Sequence, residues 1–326
     1  MKDKILEILR ESNDFVSGQE LCRKLGVSRT AVWKNINSLK QAGYVIEGVN
    51  NKGYRLVSEP DVMSEENIRK YMAPDSMIKR IFYYDETDST NIRAKIAGET
   101  DGQDGDLFVA DCQVSGRGRR GRGWTTDSKT AIAMTFLLKP SVEITTASRL
   151  TLVAALAIAR ALEQVEGIKP QIKWPNDIVI GGKKICGILT EMSSEGEDIK
   201  YVVVGIGINI YNREFPEELK DRATSIFLEN GKGADRSKIV ACVANEFERL
   251  YRMFCENQDL GFMVDEYNEM LVNLNRKVYV IENEDKTEYT SLGLSPDGGL
   301  KVRDIDGKES EIISGEVSVR GIYGYV

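Results

Sequence analysis

"SGRGRRGRGW", residues 115–124, sets four arginines and four glycines in ten positions, with no apolar side chain before Trp124. Gly116, Gly118 and Gly121 match the dinucleotide-binding pattern GxGxxG, and the fold turns on whether that match holds. A dinucleotide fingerprint follows a strand and opens a helix, because the pyrophosphate rests on the helix N-terminus. "DLFVADCQV" reads as the strand before the loop, but "WTTDSKT" follows it and then "AIAMTFLLK", another strand. A doubly wound nucleotide-binding fold is therefore set aside. GxxxxGK[ST] is absent, so a P-loop is set aside too. What is left is a loop whose amides and guanidinium groups can wrap an anion or a planar amide- or urea-like group, for which the arginine fork is suited. A solvated basic loop has the same composition.

Working outward, "IFYYDE" reads as a strand, and "TDST" as the cap of a helix "NIRAKIA". A long Ala-rich helix over "TTASRLTLVAALAIARALEQV" is apolar enough to be buried. "QIKWPNDIVI", "KICGILTEM" and "YVVVGIGINI" read as three further strands, the first two joined by Gly181-Gly182. Helices near 236–257 and 262–272 follow. Consecutive strands with helices inserted on one side predict an α+β domain with a mixed, largely antiparallel sheet. From residue 273 onward, strands alternate with Gly, Asp and Asn turns, which predicts a small all-β, barrel-like domain. The expected division is 1–60, 61–272 and 273–326.

The first sixty residues differ from the rest. Ile5, Leu6, Ile8 and Leu9 share one side of a helix. Ser17 and Glu20 form a capping box for a second helix, in which Leu21 and Leu25 face inward. Gly26 stops that helix and Ser28 caps a third, with Val32, Ile36 and Leu39 as its buried stripe. Helix, short Gly turn, helix is the helix-turn-helix spacing, and the hairpin around Asn50–Gly53 adds a wing. Ser28, Arg29, Thr30, Trp33, Lys34 and Asn37, on or opening the outward face, are the expected DNA contacts. A small helical interaction domain is the alternative.

Charge supports the division. The chain of 326 residues has net charge −7, but residues 1–58 carry ten Lys/Arg and six Asp/Glu, net +4, leaving −11 for the rest. Such an asymmetry suits a separate anionic partner for the N-terminal segment. The five cysteines show no CxxC pairing, consistent with free thiols in a reducing, cytoplasmic setting. The longest apolar run, around Leu150–Ala161, is too short to span a bilayer, so no membrane partner is expected. There is no histidine. Ser-His-Asp triads, Cys-His dyads and His-ligated metals are excluded, and no metal site from protein side chains is assigned.

Other motifs join the arginine loop. "KWPNDI", 173–178, places Lys173 and Trp174 at a strand end, then Pro175, with Asn176 and Asp177 in the turn. Such polar groups beside a rigid proline suit a binding site, although an Asn-Asp turn would read alike. "GGKKICGIL" offers Lys183 and Lys184. Strand alternation lets only one of them face the sheet's concave side, and two solvated lysines are the bland alternative. "GIGINI" puts Asn209 in a strand whose glycines allow close approach of another group.

Taken together and in order, the winged helix, "TDSTN", "GRGRRGRGW", "KWPND", "GKKICGIL" and "GIGIN" resemble the bifunctional biotin–protein ligase and biotin-operon repressor family over the whole chain. The resemblance implies a class II synthetase-like catalytic domain. It implies that biotin and ATP, with nucleotide-bound Mg²⁺, give biotinyl-5′-AMP. The biotinyl group then passes to a lysine of a biotin carboxyl carrier protein. Carried over by motif, Ser89, Thr90, Asn91 and Gln113 hold the biotin head, and Arg117, Gly118 and Arg119 fold over biotin and phosphate. Lys184 meets the biotin carboxylate and the phosphoryl oxygens. Arg122, Trp124, Asn176, Asp177 and Asn209 line the adenylate side. Arg119, Lys184 and Asp177 are the expected catalytic residues, with Asp177 the base for the acceptor lysine.

The resemblance also implies operator DNA as a partner and a homodimer promoted by biotinyl-5′-AMP. Gly123 departs from the family's usual larger or basic residue before the Trp. Lipoate ligases share the catalytic fold but lack this arginine loop and the winged helix. A repressor that only senses biotin would not need Lys184 or Asp177.

Overall fold

The computed structural model describes all residues except 13, 59, 122, 125, 127, 283–284, 314–317 and 322–326. It divides into two compact units, Met1–Val62 and Met63–Val326. The first contains α1 (Lys2–Glu11), α2 (Gly18–Leu25), α3 (Arg29–Gln41), β1 (Val45–Val49) and β2 (Gly53–Ser58). Its core is Ile5, Leu6 and Leu9 of α1, Leu21 of α2 and Val32, Ile36 and Leu39 of α3, closed by Val16 and Ile46. Ser17 Oγ accepts the Glu20 amide, and Ser28 Oγ accepts that of Ala31, so the starts of α2 and α3 are each satisfied by the hydroxyl of their N-cap residue. Gly26 takes φ 68°, ending α2 and turning the chain into α3. Val16, just ahead of α2, pairs with Tyr54 of β2 through an isolated antiparallel bridge. A Cβ on Gly53 would lie 2.0 Å from the Val16 carbonyl oxygen, so this wing needs glycine there.

The second unit runs α4 (Glu65–Arg69), β3 (Ile81–Tyr84), α5 (Thr90–Glu99), β4 (Asp106–Ala110), β5 (Ala131–Leu138), α6 (Leu150–Glu166), β6 (Gln171–Lys173), β7 (Asp177–Ile180), β8 (Lys183–Glu195), β9 (Asp198–Asn209), α7 (Ile226–Asn230), α8 (Arg236–Asn257) and α9 (Val264–Met270). It ends in β10 (Lys277–Glu282), β11 (Asp285–Leu294), β12 (Leu300–Arg303), β13 (Glu309–Ile312) and β14 (Ser318–Gly321), an antiparallel sheet in the order β13-β12-β11-β10-β14. The main sheet has the order β3-β4-β5-β9-β8-β7-β6, and its β3–β4 pair is parallel. This is the expected mixed α+β architecture.

Two local expectations are corrected. Helices cover both faces of the sheet rather than one. Alternation sends Leu107, Phe136, Val202 and Val204 toward α6 and α8, while Phe108, Leu137 and Val203 pack on Ala94 of α5. Both faces of these strands are apolar, so each needs a cover. "QIKWPNDIVI" is two strands, not one. Lys173 pairs with Asp177 across a tight turn with a cis Trp174–Pro175 bond, which puts Asp177 at the start of β7 rather than in the turn. The helical stretch Ile144–Glu166, which contains α6, is long and apolar enough to cross a membrane by composition, but it is mostly buried inside this unit.

All five cysteines are free, and Cys186 alone of them is fully buried. Arg236, the first residue of α8, is 1% exposed and pairs with Asp111, just beyond β4 and 5% exposed. Removing one partner of such a pair strands the other charge in the interior. Asp111→Ala is therefore expected to lower the unfolding free energy by about 3–5 kcal/mol. Urea denaturation monitored by far-UV circular dichroism checks this, and a loss below about 1 kcal/mol would show the pair to be dispensable.

Candidate functional site

The arginine loop is a closed hairpin. Gln113 pairs with Thr126, and Arg117 with Gly123. The Trp124 amide donates to the Gly116 carbonyl at 2.8 Å. A Cβ on Gly116 would lie 1.9 Å from the Trp124 carbonyl oxygen, so glycine is what lets the hairpin close. No helix follows: residues Arg119–Gly121 make one 3-10 turn, and the chain returns to the sheet. This agrees with setting the dinucleotide fingerprint aside. Gly123 has open space where a side chain would stand.

The loop lies over a cleft enclosing about 450 Å³, counting its open mouth. The floor is the β8–β9 ladder, in which Gly187 faces Gly207 and Leu189 faces Gly205. A Cβ on Gly207 would lie 2.3 Å from Trp124 Nε1, and one on Gly205 would lie 2.0 Å from Asn91 Oδ1. Bare backbone therefore admits the indole from one side and α5 from the other. The Trp124 indole N–H is buried with no acceptor among the described residues. A ligand acceptor at that point would satisfy it.

α5 starts at the cleft. Ser89 is its N-cap residue, yet its hydroxyl makes no capping bond and lines the cavity instead. Gln113 Oε1 accepts the Thr90 amide at 2.7 Å, tying the helix start to the base of the loop. Burial opposes the charge of Asp88, but bonds from the Ser89 amide and the Thr87 hydroxyl, with Arg93 nearby, hold its carboxyl below the ordinary range. Neutral donors and acceptors thus gather at this end.

Cations gather at the other. Arg119 Nη1 donates to Asn176 Oδ1 at 2.8 Å, and Asn176 Nδ2 donates to the Ile188 carbonyl, so the loop is latched to the β6–β7 turn. Lys184 Nζ lies 2.6 Å from Asp177 Oδ1 and 5.6 Å from the centre of the Trp124 ring. Lys184 reaches the cleft because of a β-bulge. Ile178 pairs with Cys186 but Val179 pairs with Lys184, which makes Ile185 an extra residue. That extra residue brings Lys184 onto the face of Gly187 and sends Ile185 and Cys186 together into the core. Burial pushes the Cys186 thiol well above its ordinary pKa, so it is an inert packing group.

Ten of the expected residues line this one cavity: Ser89, Thr90, Asn91, Gln113, Arg117, Gly118, Arg119, Trp124, Asn176 and Lys184. Asp177 is not in the wall and reaches it through Lys184. Asn209 is likewise not in the wall, and its amide donates to the Thr224 carbonyl at 3.1 Å. Arg122 lies outside the described residues. Sequence reasoning passed over Ile188, Leu189 and Ile206, whose apolar character gives no signal beyond strand formation. It flagged the glycines of β9 for close approach without making them part of the site. No group of three His, Cys, Asp or Glu side chains among the described residues is placed to hold a metal.

In the first unit, Arg29, Thr30, Trp33 and Lys34 of α3 are exposed, Trp33 to 56%, and Asn37 is half-buried. Ser28 spends its hydroxyl on the helix cap. An exposed indole among cations and amides on a helix with no acidic residue is a surface suited to a phosphate backbone and base edges.

Comparison with known proteins bears on both units. Residues 83–209 match the biotin/lipoate A/B protein ligase family, and residues 2–55 match a helix-turn-helix domain. The chain is 41% identical over 253 residues to the bifunctional ligase/repressor BirA of Bacillus subtilis (strain 168), covering 77% of this chain and 78% of that protein. It is 28% identical to that of Escherichia coli (strain K12), over 98% of this chain and 99% of the other. The fold is similar to the biotin protein ligase from Aquifex aeolicus in complex with biotin and ATP, with a TM-score of 0.66 and 34% identity over 74% of this chain and 99% of that one.

The glycine floor yields a direct test. Gly207→Ala puts a methyl group where Trp124 Nε1 stands, so the indole must leave its seat. The expected result is a red shift in the Trp124 component of the fluorescence, with a stability loss of about 1–3 kcal/mol. An unchanged emission spectrum would place Trp124 somewhere other than against β9.

Proposed function

The chain belongs to the biotin/lipoate A/B protein ligase family, and on that premise we propose how its residues divide the work. The protein is a biotin–protein ligase and a repressor of the biotin operon. It joins biotin to ATP as biotinyl-5′-AMP, transfers the biotinyl group to a lysine of the biotin carboxyl carrier protein, and uses the adenylate as corepressor. The observation that carries the assignment of roles is the polarity of the cleft under the arginine loop: neutral groups at the start of α5, cations from the loop and β8, and an unsatisfied indole N–H between them.

In this reading Ser89, Thr90, Asn91 and Gln113 hold the ureido end of biotin. Arg117, Gly118 and Arg119 cover it. The carboxylate of biotin attacks the α-phosphate of ATP and pyrophosphate leaves. Two anions must meet, so their repulsion has to be offset before and during the step, and Arg119 and Lys184 supply fixed positive charge for this. Mg²⁺ arriving with the nucleotide adds to that neutralisation. Trp124 and Asn176 flank the adenylate. Asn209 braces β9 beside it and Arg122 completes the loop's charge. Asp177 orients Lys184 through their ion pair and takes the proton of the acceptor lysine, which has to be neutral to attack the mixed anhydride. The anhydride is sensitive to water, and the hairpin loop latched to Asn176 excludes it.

The segments divide accordingly: residues 1–60 bind DNA, 61–272 catalyse, and 273–326 form the small β domain. We place the protein in the cytoplasm as a homodimer promoted by the adenylate. A net charge of +4 gives one winged helix few phosphate contacts, and pairing two of them steepens the dependence on salt. Two heads also require an operator with inverted symmetry.

Incorporation of labelled biotin into an isolated carrier domain tests the ligase roles. Arg119→Ala is expected to keep its fold and release biotinyl-5′-AMP faster, by the about 1.5–3 kcal/mol of one charge-assisted bond. Lys184→Ala should slow adenylation and raise the KM for biotin, while Lys183→Ala should do neither. A reversed result would mean that the other lysine faces the cleft. For the repressor, deletion of residues 1–62 should abolish operator footprints and leave ligase activity measurable. Full-length protein should protect the operator more strongly with biotin plus ATP than with ATP alone at one fixed salt concentration. Equal protection in both lanes would make the N-terminal unit a constitutive DNA binder.

A further inference from the structure

Lys184 sits where β8 changes neighbours. On one edge its backbone pairs with Val179 of β7, at the bulge. On the other edge the β8–β9 ladder ends at the Cys186–Ile208 pair, two residues short of it. β9 runs on for one residue, Asn209, paired to Ala131 of β5. Backbone polar groups in a folded interior need partners, and here the segment before α7 supplies them. The Lys184 amide donates to the Arg222 carbonyl at 2.7 Å, and the Thr224 amide donates to the Lys184 carbonyl at 2.8 Å. The two bonds make a parallel bridge between Lys184 and Ala223. Residues 222–224 are thus a strap that takes over from β9 at the very residue whose side chain enters the cleft.

The strap is tied to the sheet by a side chain. Asn209 Nδ2 donates to the Thr224 carbonyl at 3.1 Å. A carbonyl only accepts, so the nitrogen of the Asn209 amide has to face the strap. Thr224 is therefore held through its carbonyl by Asn209 while it holds Lys184 through its amide. Thr224 is 2% exposed and Asn209 8%, so water is a poor substitute for the bond between them. The Thr224 hydroxyl donates to Glu229, and the Ser225 hydroxyl to the Asn212 carbonyl, which closes the base of the loop that ends in the strap.

We propose that Asn209 is a positioning residue for Lys184: it fixes the strap, the strap fixes the Lys184 backbone, and the ammonium group is thereby kept over Gly187 of the floor, 2.9 Å from where a Cβ there would stand. Asn209 does not line the cavity, and its effect passes through Thr224. The inference rests on the ligase reading and deepens it, giving a neutral residue behind the wall a share in meeting the biotin carboxylate. A residue that touched the nucleotide itself would act on ATP, and would act whether or not Lys184 had its side chain. That difference separates the two roles.

The experiment is a double-mutant cycle on the full chain, with Asn209→Ala, Lys184→Ala and the two combined. It reads the calorimetric Kd for biotin and single-turnover formation of biotinyl-5′-AMP, with KM for biotin and for ATP where turnover allows. Asn209→Ala is expected to weaken biotin binding and slow adenylation by about tenfold, while KM for ATP moves less than about twofold. In the Lys184→Ala background the same substitution is expected to change either quantity less than about twofold, because no ammonium group is left to aim. Equal factors in both backgrounds overturn the inference, as does a rise in KM for ATP with the biotin parameters unchanged. Thermal melts show whether Asn209→Ala is folded at the assay temperature. If it is not, the cycle is run with the α-hydroxy acid of threonine at position 224, which removes only the amide proton that the Lys184 carbonyl accepts, and the same outcomes decide. If the cycle is additive while wild type adenylates biotin normally, the ligase reading stands and this inference alone falls. A wild type that neither binds nor adenylates biotin overturns both.

Discussion

The cleft depends on one ladder, β9 hydrogen-bonded to β5 along one edge and to β8 along the other. That double pairing fixes the height of every group above the floor. α6 and α8 press on the underside of these strands, with Phe136 stacked on Phe247 at 4.4 Å. On the upper side, α5 and Trp124 approach until their atoms occupy the space that side chains at 205 and 207 would fill. The arginine loop has almost no core of its own. It holds its shape because its base is bonded to Gln113 and its tip to Asn176, both of which take their positions from this sheet. Loss of the ladder would leave the cations of the site with nothing to set their spacing.

Much of this was legible before any coordinates. In the first unit α2 and α3 each carry a hydroxyl cap and each buried stripe its period, so local chemistry and tertiary packing give the same answer. In the second unit, the motifs that pointed to binding converge on one cavity, because polar side chains beside glycine or proline in otherwise apolar strands have few other uses. What the sequence concealed was register. A bulge of one residue at Ile185 decides which of two adjacent lysines serves the site, and strict alternation has no way to announce it. Asp177 and Asn209 carry the right chemistry but sit behind or beyond the wall, since their partners Lys184 and Thr224 come from elements whose placement is tertiary. Glu191 of β8 reads in the sequence as a solvated edge residue, and only the fold brings Asn91 and Lys95 of α5 to it.

The protein handles two kinds of anion by different physics. On α3 the cations are exposed, and their hold on a partner is long-ranged and sensitive to salt. In the cleft, Arg119 and Lys184 are each tied to a neighbouring side chain and partly withdrawn from water. There a charge acts over a few ångströms and depends on geometry rather than ionic strength. The −11 on residues 59–326 does not conflict with an anion site, because net charge governs the distant field and not the contents of a cleft.

The glycine floor has a consequence for how such a site can change over generations. Heritable variation acts on side chains, and at positions 187, 205 and 207 the molecule presents none. The peptide groups that form the surface there are common to every residue and cannot be exchanged for a better version. Any replacement adds a carbon, and that carbon meets Lys184, Asn91 or Trp124. Variation at these three positions can therefore only subtract from the site. New specificities in this fold have to arise from the walls, while the floor stays as it is or is lost.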